Sequence, residues 1–234
     1  GQEVGVQEDA RNSLVIEDQI PLAQPPLYLV SFPRSGHTLV TKILEKVFSA
    51  HGVPFRYCEN YINSPERDAI CGSQPNVIKS HDFDLTLQPA ANSKYVVLYR
   101  DELKLQLEAV YRWLCSKKGC PKSMRTFMDN WHIYYNLFKN KWLDKSYFDG
   151  RRVAALEYYA FLSKPTDSFL NLLEHLDYKT SANKPYSWNA EVVARVVKDF
   201  DVRLQQDEAQ VLERVAENAR RYEEEGGTRL LENI

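Results

Sequence analysis

The sequence is short of the features that would fix its class at a glance. Glycine is scarce, nine in 234 residues, and the eleven prolines follow no period, which excludes collagen-like and low-complexity chains. The four cysteines, Cys58, Cys71, Cys115 and Cys120, are irregularly spaced and form no CxxC pair. That excludes a zinc ribbon and predicts reduced thiols instead of a disulfide framework. Neither sign of charge is in excess: thirty Lys and Arg against thirty-two Asp and Glu leave a formal charge of −2. No global basic field exists to grip nucleic acid, so an anionic ligand must be held by a local pocket. No apolar run approaches the roughly 18 residues of a membrane helix, and the N-terminus lacks the basic-then-apolar order of a signal peptide. These absences predict a soluble, cytoplasmic protein with neither membrane nor nucleic acid as partner.

What is present is the balance of a globular chain, 44% hydrophobic and 26% charged, large enough to bury a core without a metal or disulfide. Residues 1–26 are polar and proline-punctuated, an extended or partly disordered lead-in; residues 27–234 read as one α/β domain. Leu27-Tyr28-Leu29-Val30-Ser31-Phe32 is the short apolar run of a buried parallel strand, and Leu39, Val40, Ile43, Leu44, Val47 and Phe48 then recur at helical spacing. Further strands are expected at 76–79, 94–99 and 152–156. Helical stripes run through Leu103, Leu107, Val110 and Leu114, through Met124, Phe127, Met128, Trp131, Tyr135, Phe138 and Trp142, and through Phe169, Leu172, Leu173 and Leu176, with two more helices over 189–225. Short strands alternating with longer helices predict a central parallel sheet of about four to five strands flanked by helices on both faces.

In such sheets ligands collect outside the carboxyl ends of the strands. The segment Phe32-Pro33-Arg34-Ser35-Gly36-His37-Thr38 lies there, between strand and helix. Gly36 permits a tight turn, the first helical amides aim positive charge outward, Ser35 and Thr38 carry hydroxyls, and Arg34 carries a fork that fits phosphate or sulfate oxygens. Together they describe an oxyanion cradle. The plainer alternative is a strand-to-helix turn with Ser35 as N-cap. A nucleoside-triphosphate loop is disfavoured because GxxxxGK[ST] is absent.

This segment resembles the loop [FY]-P-[KR]-S-G-[ST]-[ST] of the sulfotransferases that use 3′-phosphoadenosine 5′-phosphosulfate (PAPS). The resemblance implies a P-loop-like sulfotransferase architecture. It implies that Arg34 meets the bridging oxygen of the donor, and that Ser35, Gly36, His37, Thr38 and Leu39 hold the 5′-phosphate, with His37 departing from the usual hydroxyl. Val77-Ile78-Lys79-Ser80-His81 resembles the family's I-K-[ST]-H segment, which implies His81 as catalytic base. The chemistry suits those residues: a neutral imidazole accepts the proton of an attacking hydroxyl, and Lys79, two residues away on an extended segment, lies on the same side to stabilise the transferring group. His37 is the rival base; His51, His132 and His175 read as structural.

Two further segments match less fully. Arg100 follows the strand at 94–99 as in the family's R-[ND]-P-x-D-x-x-x-S segment, which implies a 3′-phosphate contact, but position 108 is Glu where the family has Ser. Either another hydroxyl, such as Ser116 or Ser123, substitutes for it, or the donor preference is altered. Tyr158, after the strand at 152–156, matches the tyrosine beside the adenine, and Gly226-Gly227-Thr228-Arg229 faintly resembles a closing basic segment. The resemblance thus implies metal-free, in-line transfer of a sulfuryl group from PAPS to a hydroxyl or amine of a small-molecule or glycan acceptor, leaving 3′,5′-bisphosphoadenosine (PAP). A P-loop-like phosphotransferase and a non-catalytic nucleotide-binding module are the alternatives. The basic and aromatic stretch over 111–147 is the expected acceptor-facing surface.

Overall fold

The computed structural model describes residues 25–59, 76–88, 93–121, 123–144, 153–180, 182–200 and 213. The expected lead-in up to residue 24, Cys71, Lys122, the second helix expected beyond residue 200 and the Gly226-Gly227-Thr228-Arg229 segment lie outside them. Five strands, β1 (Leu27–Ser31), β2 (Tyr57–Glu59), β3 (Val77–Ser80), β4 (Lys94–Tyr99) and β5 (Val153–Glu157), form one sheet in the order β2-β3-β1-β4-β5. Every pairing is parallel; Leu29 lies opposite Lys79 on one side and Val96 on the other. β1 is therefore central, and its carboxyl end opens between those of β3 and β4.

Six helices complete the described chain: α1 (His37–Ala50), α2 (Leu103–Lys117), α3 (Met124–Leu143), α4 (Tyr158–Ser163), α5 (Pro165–Leu176) and α6 (Ala190–Lys198). The period of two along the strands sorts the core into two layers. Leu27, Leu29, Val77, Val96 and Leu98 face α1, α5 and α6, where Ile43, Leu44, Phe48, Phe169, Leu173 and Val193 pack. Tyr28, Val30, Phe32, Ile78, Tyr95 and Val97 face α2 and α3, where Leu107, Val110, Phe127, Phe138 and Trp142 pack. Covering both faces makes each central strand apolar throughout, which is why β1 reads as an unbroken run. Strand boundaries fall within one residue of expectation. Two elements were not anticipated: β2, three residues at an edge, and α4, a short turn beginning at Tyr158. None of the described helices is long and apolar enough to cross a membrane.

The thiol expectation is overturned. Cys115 and Cys120 are joined by a disulfide, Cys58 is also disulfide-bonded, and no described cysteine is a free thiol. α2 ends at Lys117, and Gly119, with φ of 92°, turns the chain back so that two sulfurs five residues apart meet. Spacing rules tuned to frameworks and metal pairs do not detect such a local staple. Closing so short a loop stabilises by about 2 kcal/mol in the chain-entropy view. Cys115→Ser/Cys120→Ser is therefore expected to lower Tm by roughly 4–8 °C for a chain of this size, measured by calorimetry without reductant; an unchanged Tm would show that the staple contributes nothing.

Candidate functional site

The loop leaving β1 is held from behind. Phe32 N–H donates to the Leu98 carbonyl (3.0 Å), and the Ser35 hydroxyl, 2% exposed, lies 2.6 Å from the Phe32 carbonyl and 2.9 Å from that of Leu98. Gln106 Nε2 donates to the Pro33 carbonyl (2.5 Å), and Arg100 Nε donates to the Arg34 carbonyl (3.1 Å). Three successive carbonyls are thus taken up on the protein side. Arg34 and Gly36 adopt left-handed backbone, with φ of 66° and 88°, which turns the chain into α1 with Gly36 as N-cap. Ser35 is consequently not the cap, and its amide is also spent on Phe32 (3.2 Å). Among the described residues no backbone carbonyl takes the amides of Gly36, His37 and Thr38, the donors a helix start leaves over. They form the anion-attracting end of α1. Arg34 is exposed beside them.

β3 delivers the other half. Lys79 is 2% exposed, and its ammonium lies 3.4 Å from Glu59 Oε1 on β2. Burial lowers the Lys79 pKa, with the Glu59 carboxylate opposing that change. His81, 6% exposed, has Nδ1 2.6 Å from the Ser31 carbonyl at the end of β1, and Ser31 Oγ lies 3.2 Å from the same nitrogen. A carbonyl only accepts, so Nδ1 carries the proton and the lone pair resides on Nε2. The rings of His81 and His37 meet edge to face at 5.4 Å. Burial, reinforced for both by the Lys79 charge, lowers His37 to about 3 and His81 to about 4. His37 Nε2 is 3.1 Å from Thr38 Oγ1, while its buried Nδ1 has no partner. The structure therefore gathers Arg34, Gly36, His37, Thr38, Lys79 and His81 at one strand-end edge.

It does not gather the others there. Leu39 packs in the core, 4% exposed, with its amide on the Gly36 carbonyl. Arg100 and Tyr158 stand behind the loop: the guanidinium stacks on the Tyr158 ring at 4.2 Å and donates from Nη1 to Tyr159 Oη (3.2 Å). Burial raises the Tyr159 pKa, Arg100 opposes the rise, and buried Glu108 adds to it, so this cation and this carboxylate act on one phenol. The expected stand-ins for the missing serine serve helix ends, Ser116 Oγ donating to the Trp113 carbonyl (2.8 Å) and Ser123 Oγ accepting from Thr126 N–H (3.3 Å). His51 is structural, with Nδ1 2.8 Å from the Val47 carbonyl and Nε2 accepting from Asn189 N–H.

Comparison of the fold with solved structures decides its class. The chain is similar to mouse sulfotransferase SULT7A1 in complex with PAP, at 12% identity over 85% of this chain and 73% of that one, with a TM-score of 0.52. The chain has the sulfotransferase fold. Retinol dehydratase in complex with retinol and PAP is also similar, at 15% identity over 82% of this chain and 69% of that one, with a TM-score of 0.48. No protein-family model and no curated protein matches the sequence.

Within this sulfotransferase fold, the residues missed in the sequence are those that hold the site together. Gln106 carried a signal, because it lies in the apolar stripe of α2 between Leu103 and Leu107 yet is fully buried. Glu59, on a three-residue edge strand, carried none. Gly36 is fixed twice over: a Cβ there would lie 2.5 Å from the Tyr158 ring, and φ of 88° disfavours any side chain. Gly36→Ala should cost more than the roughly 1–2 kcal/mol of left-handed backbone alone. Adding Tyr158→Ala should recover the steric share only, as read by denaturant unfolding relative to Tyr158→Ala itself. Equal losses from Gly36→Ala in both backgrounds would show that the ring does not press on the loop.

Proposed function

We propose that this chain transfers a sulfuryl group from PAPS to a hydroxyl or amine of a small-molecule or glycan acceptor. The observation that carries the reading is the Nδ1 hydrogen bond of His81 to the Ser31 carbonyl, which leaves a basic Nε2 at the same strand-end edge as the α1 amides and Lys79. The residues fit the donor: three amides, an exposed Arg34 and a buried ammonium converge where a phosphosulfate would need positive charge. In the reaction the acceptor oxygen or nitrogen forms a bond to sulfur as the bond from sulfur to the bridging phosphate oxygen breaks. The acceptor proton passes to His81 Nε2, and the leaving electron pair stays on the phosphate of PAP. Arg34 and the α1 amides stabilise that charge, and Lys79 stabilises the oxygens of the moving SO₃. Among the described residues no group of His, Cys, Asp and Glu is arranged to hold a metal.

The disulfides at Cys58 and Cys115–Cys120 support an oxidising compartment as the working location, because such bonds persist there and are reduced in the cytosol. That replaces the cytoplasmic expectation, which leaned on reduced thiols.

PAP at 100 times its dissociation constant is expected to stabilise the fold by about 2.7 kcal/mol, whereas ATP with Mg²⁺ does less; a larger shift with ATP and Mg²⁺ would favour a phosphotransferase, and no shift with either a non-binding module. His81→Ala should lower turnover by roughly 10²–10⁴-fold while leaving the PAP shift in place; wild-type turnover would reject His81 as base. Because burial holds His81 down to about 4, kcat/KM should stay level through neutral pH and fall as pH drops through about 4. Stability moves the same way. The unfolded rings protonate near 6.5 but the folded ones only at about 4 and about 3, so stability present above 6.5 is lost as pH falls through that window. Urea titrations from pH 7 to 4 measure it.

A further inference from the structure

We propose that Asp82, held by Lys141 and Trp142 of α3, and Tyr134 of the same helix are positioning residues for the His81 imidazole; the proposal rests on the reading of His81 as the base. Asp82 follows the end of β3, is fully buried and sits in left-handed backbone with φ of 49°. Its carboxylate accepts from Lys141 Nζ (2.6 Å) and Trp142 Nε1 (2.8 Å) through Oδ2, and from Leu87 N–H (2.8 Å) through Oδ1. Lys141 also donates to the Leu85 carbonyl (2.6 Å), and Asp82 N–H donates to Ser80 Oγ (3.1 Å). The Tyr134 hydroxyl donates to the His81 carbonyl (3.0 Å).

The arrangement matches the needs of a base more closely than those of stability. Burying a carboxylate and an ammonium together is often no better for the fold than apolar residues of the same volume. What it supplies is direction. The His81 ring is anchored through Nδ1 on the Ser31 carbonyl and packs beside His37 and Phe83. With those contacts alone the ring could swing as the turn after β3 shifts. The Tyr134 bond fixes the residue's own carbonyl, and Asp82 fixes the next residue to two consecutive side chains of a twenty-residue helix. Together with the Nδ1 contact they hold residue 81 at its ring and at its backbone, and displacement of a reacting group by about 1 Å costs on the order of 100-fold in rate. The Asp82 carboxylate is held by α3 and by the Leu87 amide, so the action proposed for it is geometric.

Two variants test this. Asp82→Asn keeps the shape and tolerates the left-handed backbone, and Tyr134→Phe removes one hydroxyl from a half-buried ring. Each should lower kcat by roughly 10–100-fold with PAP affinity unchanged within about twofold. With histidine ring nitrogens labelled, the protected Nδ1–H resonance of His81 should be sharp in the native chain and broadened or lost in both variants. Wild-type kcat together with a sharp resonance in either folded variant overturns the proposal, as does a fall in kcat matched by an equal loss of PAP affinity. Should Asp82→Asn fail to fold, Tyr134→Phe decides by the same readouts. Should the native chain transfer no sulfuryl group to any acceptor, the proposed function fails; the resonance alone then decides whether Asp82 orders the ring.

Discussion

The site depends on where three carbonyls point. Between β1 and α1 the chain must reverse direction within five residues, and every carbonyl exposed in the turn needs a donor. Ser35, Gln106 and Arg100 take the carbonyls of residues 32–34 on the protein side, and the left-handed backbone at Arg34 and Gly36 then turns the chain so that the amides of Gly36, His37 and Thr38 open α1. An anion-binding loop is built by satisfying its oxygens, since an unsatisfied carbonyl facing the ligand would repel it. Gly36 and Tyr158 then form the mechanical stop: the ring occupies the space a Cβ would need, and Arg100 lies stacked on that ring. The same side chains that resemble nucleotide contacts in the sequence are, in this fold, the supports of the loop between β1 and α1.

That double use explains what could and could not be read from the amino-acid order. The two-layer sheet was legible because burial on both faces forces continuous apolar strands, and β1, β3 and β4 lie within a residue of where the pattern puts them. The Phe32-Pro33-Arg34-Ser35-Gly36 and Lys79-Ser80-His81 segments were legible because loop chemistry sits next to strand ends in the chain. Leu39 was misjudged for a reason in helix geometry. It is the third residue of α1, and its side chain turns into the core while its amide already bonds Gly36. Ser35 was assigned a cap or a ligand contact, yet its hydroxyl faces Leu98, sixty-three residues on. Contacts at that separation leave no trace in local composition, and the same holds for Asp82 with Trp142 and for Lys79 with Glu59.

The cysteines illustrate the opposite error, in which a local feature was read with a rule meant for long-range ones. Irregular spacing argues against a framework, but Cys115 and Cys120 need only the turn at Gly119 to meet. The consequence reaches beyond stability. Cys58 lies on β2, the strand that also presents Glu59 to Lys79, so one bonded residue and one ion-pair partner share a three-residue edge strand. Tying that edge down keeps a carboxylate beside a buried ammonium at the margin of the site.

The balance at Lys79 then shows what a strong anion would gain beside it. Its pKa is lowered despite Glu59, so the carboxylate does not offset the loss of water around the ammonium. The pair is long at 3.4 Å, and Glu59 is 41% exposed, which screens it toward the value of a surface ion pair, at most about 1 kcal/mol. A group carrying more negative charge at shorter range gains more from Lys79 than Glu59 does, because Coulomb attraction rises with the product of charges and falls with distance. The two imidazoles obey the same constraint. Crowded against Lys79 and Arg34 and removed from water, they stay neutral where an exposed histidine would begin to charge. Neutral rings add no like charge to repel the cations and keep one lone pair for a proton. Burial, which leaves the Lys79 ammonium short of water, is therefore also what keeps the two imidazoles unprotonated.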